Sequence, residues 1–344
     1  MSKTFKISGI ILFTVTGLQV MRILSALLPL SDNISGWLFS FIMQCLFLGL
    51  FPYLLYKLTI KDGNFLKDIH VKKKINPLSY LLAIVIGLLT YFVNSGASTI
   101  WYVILNNLGF TYVRSGGTLF TSPEVLVLEI ITSCMLPAIF EEITDRGLLL
   151  ANLENVKSDT AKIIILGLFF GACHQNAPQL GPTALAGIVI GFMAVKSGSI
   201  LPGMIVHFMN NFIITISNYC SQKGISLGIL TQIENLIFMN GLTVVLSAAI
   251  CGIILVCVLL IFEKINTKPE DRKPNRDIEE TIMAVYGIPT YDKNGMPIYY
   301  RNTSNKDTLP LEAKAKPLDY VLLVVAFVSA LAVTAFTFFW GLLK

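Results

Sequence analysis

Apolar residues run along this chain in long blocks separated by short polar stretches, and a bilayer-spanning helix needs about 20 such residues. On that criterion the pattern predicts nine helices, at about 7–30, 36–57, 78–105, 124–153, 161–176, 180–196, 200–220, 238–262 and 318–342. The fifth and sixth are short and need protein neighbours or a thinned bilayer. The first apolar block has no small-x-small cleavage site, so it reads as a retained span and not as a secretory signal. The expected fold class is all-α, a polytopic membrane protein of about nine transmembrane helices in the cell membrane. It divides into a membrane core over 1–263, a polar segment over 264–317 and an additional C-terminal helix over 318–344.

Composition agrees. Of 344 residues 54% are hydrophobic and only 14% charged, with a mean hydropathy of +0.69. Soluble domains are nearer a quarter charged. A net charge of +5 does not point to nucleic acid, because the basic residues sit between apolar blocks. Lys57, Lys61, Lys67, Lys72, Lys73 and Lys74 mark one such loop as cytoplasmic; Lys157, Lys162 and Lys196 mark the next two inner turns. Alternation then places the N-terminus and the 264–317 segment in the cytoplasm and the C-terminus outside. That segment mixes both signs of charge with Pro269, Pro274, Pro289, Pro297, Pro310 and Pro317, the composition of a solvated linker. Tyr286 to Tyr300, around D-K-N-G, supports a small hairpin as the alternative. The cysteines all lie in apolar segments and read as small buried side chains without disulfides.

One predicted helix carries charge. The stretch M-L-P-A-I-F-E-E-I-T-D-R-G-L-L-L, from Met135 to Leu150, holds Glu141, Glu142, Asp145 and Arg146. Each such residue at a bilayer centre costs about 2.5–3.5 kcal/mol on insertion scales, so the cluster suggests function. Glu142 and Arg146 are i, i+4 and share a face where they can pair, which leaves Glu141 about 100° away and free for chemistry. Asp145 is i+4 from Glu141, where its like charge modulates the ionisation of that carboxylate.

Two of the three histidines, His174 and His207, also lie in apolar blocks, while His70 sits in a basic loop and reads as solvated. Glu141 stands about 16 residues before the turn near Lys157, and His174 about 16 after it, so both lie at similar depth. His207 and Asn211, also i, i+4, fall about 12–18 Å inward from the same side. All four can line one cavity, expected to open toward the cytoplasm. The glycine pairs Gly167/Gly171 and Gly187/Gly191 let neighbouring backbones approach closely, a packing role.

A glutamate in a poorly solvated pocket is a usable base. With a histidine it can deprotonate water while imidazole and amide donors hold an oxyanion. Glu141, His174 and His207 can also form an open zinc site. From the residues alone three readings stand: a hydrolase of amide bonds, a proton- or ion-coupled transporter, and a structural polar core.

Three motifs in order, E-E-x-x-x-R at Glu141, Glu142 and Arg146, F-x-x-x-H at Phe170 and His174, and H-x-x-x-N at His207 and Asn211, resemble the CPBP family of intramembrane endopeptidases, the CAAX protease and bacteriocin-processing (Abi) group. The match covers about 124–215, the expected catalytic helices. The resemblance implies an all-α core with an intramembrane polar cavity. It implies water activated by Glu141 and His174, an oxyanion site at His207 and Asn211, and supporting roles for Glu142 and Arg146. The implied partners are a peptide or protein substrate, including prenylated ones, and membrane lipids. No cofactor is expected; a divalent metal such as zinc, held by Glu141, His174 and His207, is the alternative. A non-catalytic immunity or scaffold protein of the same fold is the rival reading. The sequence departs from the family pattern at Asp145, where an apolar residue is usual and an acid can compete for Arg146.

Overall fold

The computed structural model describes residues 1–27, 33–61, 63–71, 75–111, 118–226, 228–266, 290–291, 297–298 and 315–342. Each apolar block is helical. The chain runs through α1 (Lys3–Leu27), α2 (Asn33–Thr59), a short α3 (Phe65–Asp68), α4 (Leu78–Asn107), α5 (Pro123–Asn152), α6 (Asp159–Cys173), α7 (Ala177–Ser197), α8 (Leu201–Lys223), a short α9 (Ile229–Ile237) and α10 (Gly241–Asn266). A turn of 3₁₀ helix at Pro317–Tyr320 then leads into α11 (Val321–Leu342). Between α10 and α11, strands β1 (Thr290–Tyr291) and β2 (Pro297–Ile298) pair antiparallel, Thr290 with Ile298 and Tyr291 with Pro297. The hairpin alternative for Tyr286–Tyr300 is thus realised at its described residues; most of 264–317 lies outside them.

Among the described residues seven helices are long and apolar enough to cross a membrane, as a polytopic membrane protein requires; the apolar pattern predicts about nine. The two that fall short are α6, with 15 residues, and α8, whose length is interrupted by His207, Asn210, Asn211 and Asn218. Instead α6 packs against α5, α7 and α11, and α8 against α4, α5 and α7. Outward faces are greasy: Leu246, Ile250 and Ile253 of α10 are 54%, 61% and 69% exposed, as lipid-facing side chains should be. The six cysteines are free, but the expectation of buried side chains holds for Cys134 alone: Cys257 is exposed and the other four are half-buried. His70 is half-buried with a positive φ of 60°, so it is not simply a solvated loop residue.

Hydrogen bonds fix the two ends of the bundle. At one, Lys3 pairs with Asp68, Asn152 donates to the Thr4 carbonyl, Ser79 meets Asn266, and Lys196 bridges Asp159 and Glu263. At the other, Asn33 donates to the Leu119 carbonyl, Gln222 to the Thr118 carbonyl, and the Thr111 amide to the Gly341 carbonyl. Successive long helices therefore alternate in direction, and the lysine-rich loops share the first end.

Two prolines reshape the helices nearest the charged cluster. Proline has no N–H to give to the carbonyl four residues back. In α2, Pro52 leaves the Leu48 carbonyl without that donor, and the Thr144 hydroxyl of α5 supplies one at 3.1 Å. In α5, Pro137 does the same to the Ser133 carbonyl, which Asn211 of α8 satisfies at 3.1 Å. Each proline follows a π-helical stretch, Met43–Leu50 and Ile130–Met135, and a third, Ile143–Leu148, follows the glutamates. Such stretches occur mostly at functional sites. Here they turn polar groups of three helices toward one another.

The glycine pairs pack α6 directly on α7. A Cβ added to Gly187 would stand 2.9 Å from the Gly167 Cα, and one on Gly171 2.6 Å from the Leu180 carbonyl oxygen. Gly187→Ala should therefore destabilise the protein by about 1–3 kcal/mol, the usual size of overpacking. Gly36→Ala, whose added Cβ meets nothing within 4 Å, should be neutral. Thermal unfolding in detergent compares the two.

Candidate active site

The charged cluster of α5 is held from below by one buried ion pair. Arg146 Nη1 donates to Glu142 Oε1 at 2.9 Å, and both side chains are fully buried. The Arg146 Nη2 donates to the Gly187 carbonyl at 3.2 Å, and its guanidinium lies 4.1 Å from the centre of the Phe170 ring. Glu142 thus pairs with Arg146 as the i, i+4 spacing predicts. Among the described residues Arg146 makes no ion pair with Asp145.

His207 docks on the same carboxylate. Its Nδ1 lies 2.8 Å from Glu142 Oε1, which can only accept, so Nδ1 carries a proton and Nε2 faces away. That Nε2 stands 3.8 Å from Glu141 Oε2. The other oxygen of Glu141 accepts from Gln44 Nε2 of α2 at 2.8 Å. His174 caps the C-terminus of α6; its Nδ1 lies 2.9 Å from the Phe170 carbonyl, so there too Nδ1 is the donor and Nε2 is left with a lone pair. Phe170 keeps both imidazoles in place edge-on, with ring centres 4.8 Å from His174 and 5.6 Å from His207.

Glu141, His174, His207 and Asn211 all line a single cavity of about 910 Å³ between α4, α5, α7 and α8. The depth argument from sequence is in this respect correct. The cavity does not, however, extend toward the lysine-rich end, the side on which its opening is expected. Below the glutamates Arg146, Phe170 and the apolar side chains Leu148, Leu149 and Leu166 fill the space toward the lysine-rich end. The cavity instead continues along Glu129, Ser133 and Pro137 of α5 and Asn218 and Gln222 of α8, to Thr118 at the opposite end. The reason is the shortness of α6, which turns back at 174–176 and leaves room beyond it.

Asp145 is buried (3% exposed) and borders a second cavity of about 210 Å³, with Arg22, Thr144 and Gln175. Glu141 and His174 line this one as well and so stand between the two spaces. Among the described residues no three His, Cys, Asp or Glu side chains group as ligands of one ion.

Sequence reading missed Gln44, Ser133 and the polar lining above the glutamates. The signal was present: Thr90, Asn94 and Ser98 recur every four residues in an apolar helix, as do Glu129 and Ser133 and then Asn218 and Gln222. Gln44 is a lone amide in a run of apolar residues.

Residues 123–213 match the family model described as Rce1-like, Type II CAAX prenyl endopeptidase Rce1-like. The match supports the CAAX protease family for this segment, which is about a quarter of the chain and contains all three motifs. Protease activity in general is what that family implies. No curated protein and no solved structure matches the chain.

Removing one partner of a buried ion pair strands the other, at a typical cost of about 3–5 kcal/mol. Arg146→Met should destabilise the protein by that order. Adding Glu142→Gln to Arg146→Met should recover part of the loss. Chemical or thermal unfolding in one detergent checks both, and additive losses would contradict the pairing.

Proposed function

We propose that this protein is an intramembrane glutamate-type endopeptidase, with water activated by Glu141 and His174 and an oxyanion site at His207 and Asn211. One observation supports this most. Glu141, His174, His207 and Asn211, from three helices, line one cavity and hold their reactive atoms toward it.

The roles follow from the hydrogen bonds. Glu141 is held by Gln44 through one oxygen, which leaves the other to take a proton from water. His174, its Nδ1 pinned to the Phe170 carbonyl, presents Nε2 as a second acceptor that orients the same water. The hydroxide attacks the scissile carbonyl, and the oxygen becomes negative. His207 acts as imidazolium between Glu142 and Glu141, with Nε2–H aimed at that oxygen. Asn211 gives one amide hydrogen to the Ser133 carbonyl and keeps the other for the oxyanion. Collapse breaks the C–N bond, and the amine leaves with the proton that Glu141 took. Glu142 and Arg146 touch neither water nor peptide; they position His207. No step is routed through a metal.

The membrane orientation we propose follows the lysines: N-terminus and 264–317 segment in the cytoplasm. The substrate is a peptide or protein segment able to reach a site inside the bilayer.

Purified protein in nanodiscs, incubated with quenched-fluorescent peptides including farnesylated ones, tests this reading. Glu141→Ala and His174→Ala should abolish cleavage while unfolding like wild type; unchanged turnover in either variant would remove its role. Asn211→Ala should slow cleavage about 10²-fold or more, the usual loss on deleting an oxyanion donor. Cleavage should survive a chelator; loss on chelation with recovery on adding zinc would make Glu141, His174 and His207 ligands.

A further inference from the structure

The wall of the large cavity has a definite chemistry. Above Glu141 it carries the amides Asn94, Asn210, Asn218 and Gln179, with hydroxyls at Ser98 and Thr183, up to Thr118 and Gln222, which are hydrogen-bonded to each other at the far end. Its lining among the described residues contains no lysine or arginine, and its acids are Glu129 and Glu141. The side-chain oxygens of Asn94 and Asn210 are buried without a hydrogen-bond partner. Pro182, inside α7, has no N–H for the Pro178 carbonyl four residues back, and both prolines face the same space. The cavity thus offers a column of neutral acceptors and donors, suited to the backbone N–H and C=O groups of an extended polypeptide. Its one cation among the described residues, the His207 imidazolium, is already paired with Glu142 and set beside Glu141, so none is left to receive a free carboxylate or a phosphate.

The column has a direction. From His207 to Gln222 is about 22 Å along α8 at 1.5 Å per residue, the length of about seven residues of extended chain at 3.3 Å each. Its far end, at Thr118 and Gln222, is the end of the bundle opposite Lys57, Lys61, Lys67, Lys157, Lys162 and Lys196. Positive loops stay in the cytoplasm.

We infer that the cavity is entered from the extracytoplasmic face and takes a neutral or cationic polypeptide segment through its backbone, so that an internal bond about seven residues from the mouth reaches Glu141. The inference deepens the endopeptidase reading and rests on it for the cleavage step. The side of entry stands on geometry and charge alone. A C-terminal tripeptide on a cytoplasmic prenylated chain is the wrong substrate on two counts: it arrives from the other face, and its carboxylate finds two glutamates and no cation that is not already paired.

Two measurements separate these parts. Asn218→Cys and Gln179→Cys, both exposed at the cavity, are labelled in cells with a membrane-impermeant maleimide, with wild type as background and Lys61→Cys as the cytoplasmic control. The expected result is labelling of the two cavity positions in intact cells and of Lys61→Cys only after permeabilisation. The reverse pattern would overturn the side of entry whether or not the protein cleaves anything. Wild-type protein in nanodiscs is then given peptide libraries with a randomised core flanked by Lys, Ala or Glu, and a farnesylated set whose scissile bond lies three residues from the C-terminus. The kcat/KM for the Lys- and Ala-flanked sets should exceed the other two by about tenfold or more. Equal or better cleavage of the Glu-flanked or farnesylated set would overturn the substrate class. No cleavage of any set, with the labelling as expected, would count against the endopeptidase reading and leave the side of entry standing.

Discussion

Everything at the centre of this molecule depends on one carboxylate oxygen. Glu142 Oε1 accepts from Arg146 at 2.9 Å and from His207 at 2.8 Å, in a place with no solvent exposure. An isolated charge there would be driven out or neutralised. Paired, it ties α5 to α8 directly and to α7 through the Arg146 contact with the Gly187 carbonyl. The same guanidinium stacks on Phe170, which sets both histidines edge-on. A buried pair of this kind is weak evidence of extra stability but leaves little freedom of arrangement. Glu141, one residue earlier, is thereby aimed at the cavity, while its neighbour is spent on structure.

The helix ends and the charged motifs were legible in the sequence because both follow short-range rules. Apolar block length sets a span, and i, i+4 spacing put Glu142 with Arg146 before any packing was known. The shared depth of Glu141 and His174 followed from counting residues to a turn. What could not be read was the space between helices. α6 stops at Cys173 and α8 is too polar for a simple span, so the cavity lies beyond the α6 turn and not on the lysine-rich side. The partners of freed backbone carbonyls were equally hidden. Pro52 and Pro137 announce that the Leu48 and Ser133 carbonyls lose their donors, but only the packing says that Thr144 and Asn211 replace them.

Asp145, the residue that departs from the family pattern, does not disrupt the pair. Arg146 keeps Glu142, and Asp145 turns to the smaller cavity behind Glu141 and His174. That cavity and the large one meet at the two residues assigned to water activation.

The central claim is that Glu141 acts on water and never bonds to the substrate. A single turnover in H₂¹⁸O, analysed by mass spectrometry of product and of the protein fragment holding Glu141, tests it directly. The account predicts one ¹⁸O in the new product carboxyl and none in the Glu141 side chain. Label in Glu141 would instead reveal an acyl-enzyme anhydride, and the general-base role would be wrong.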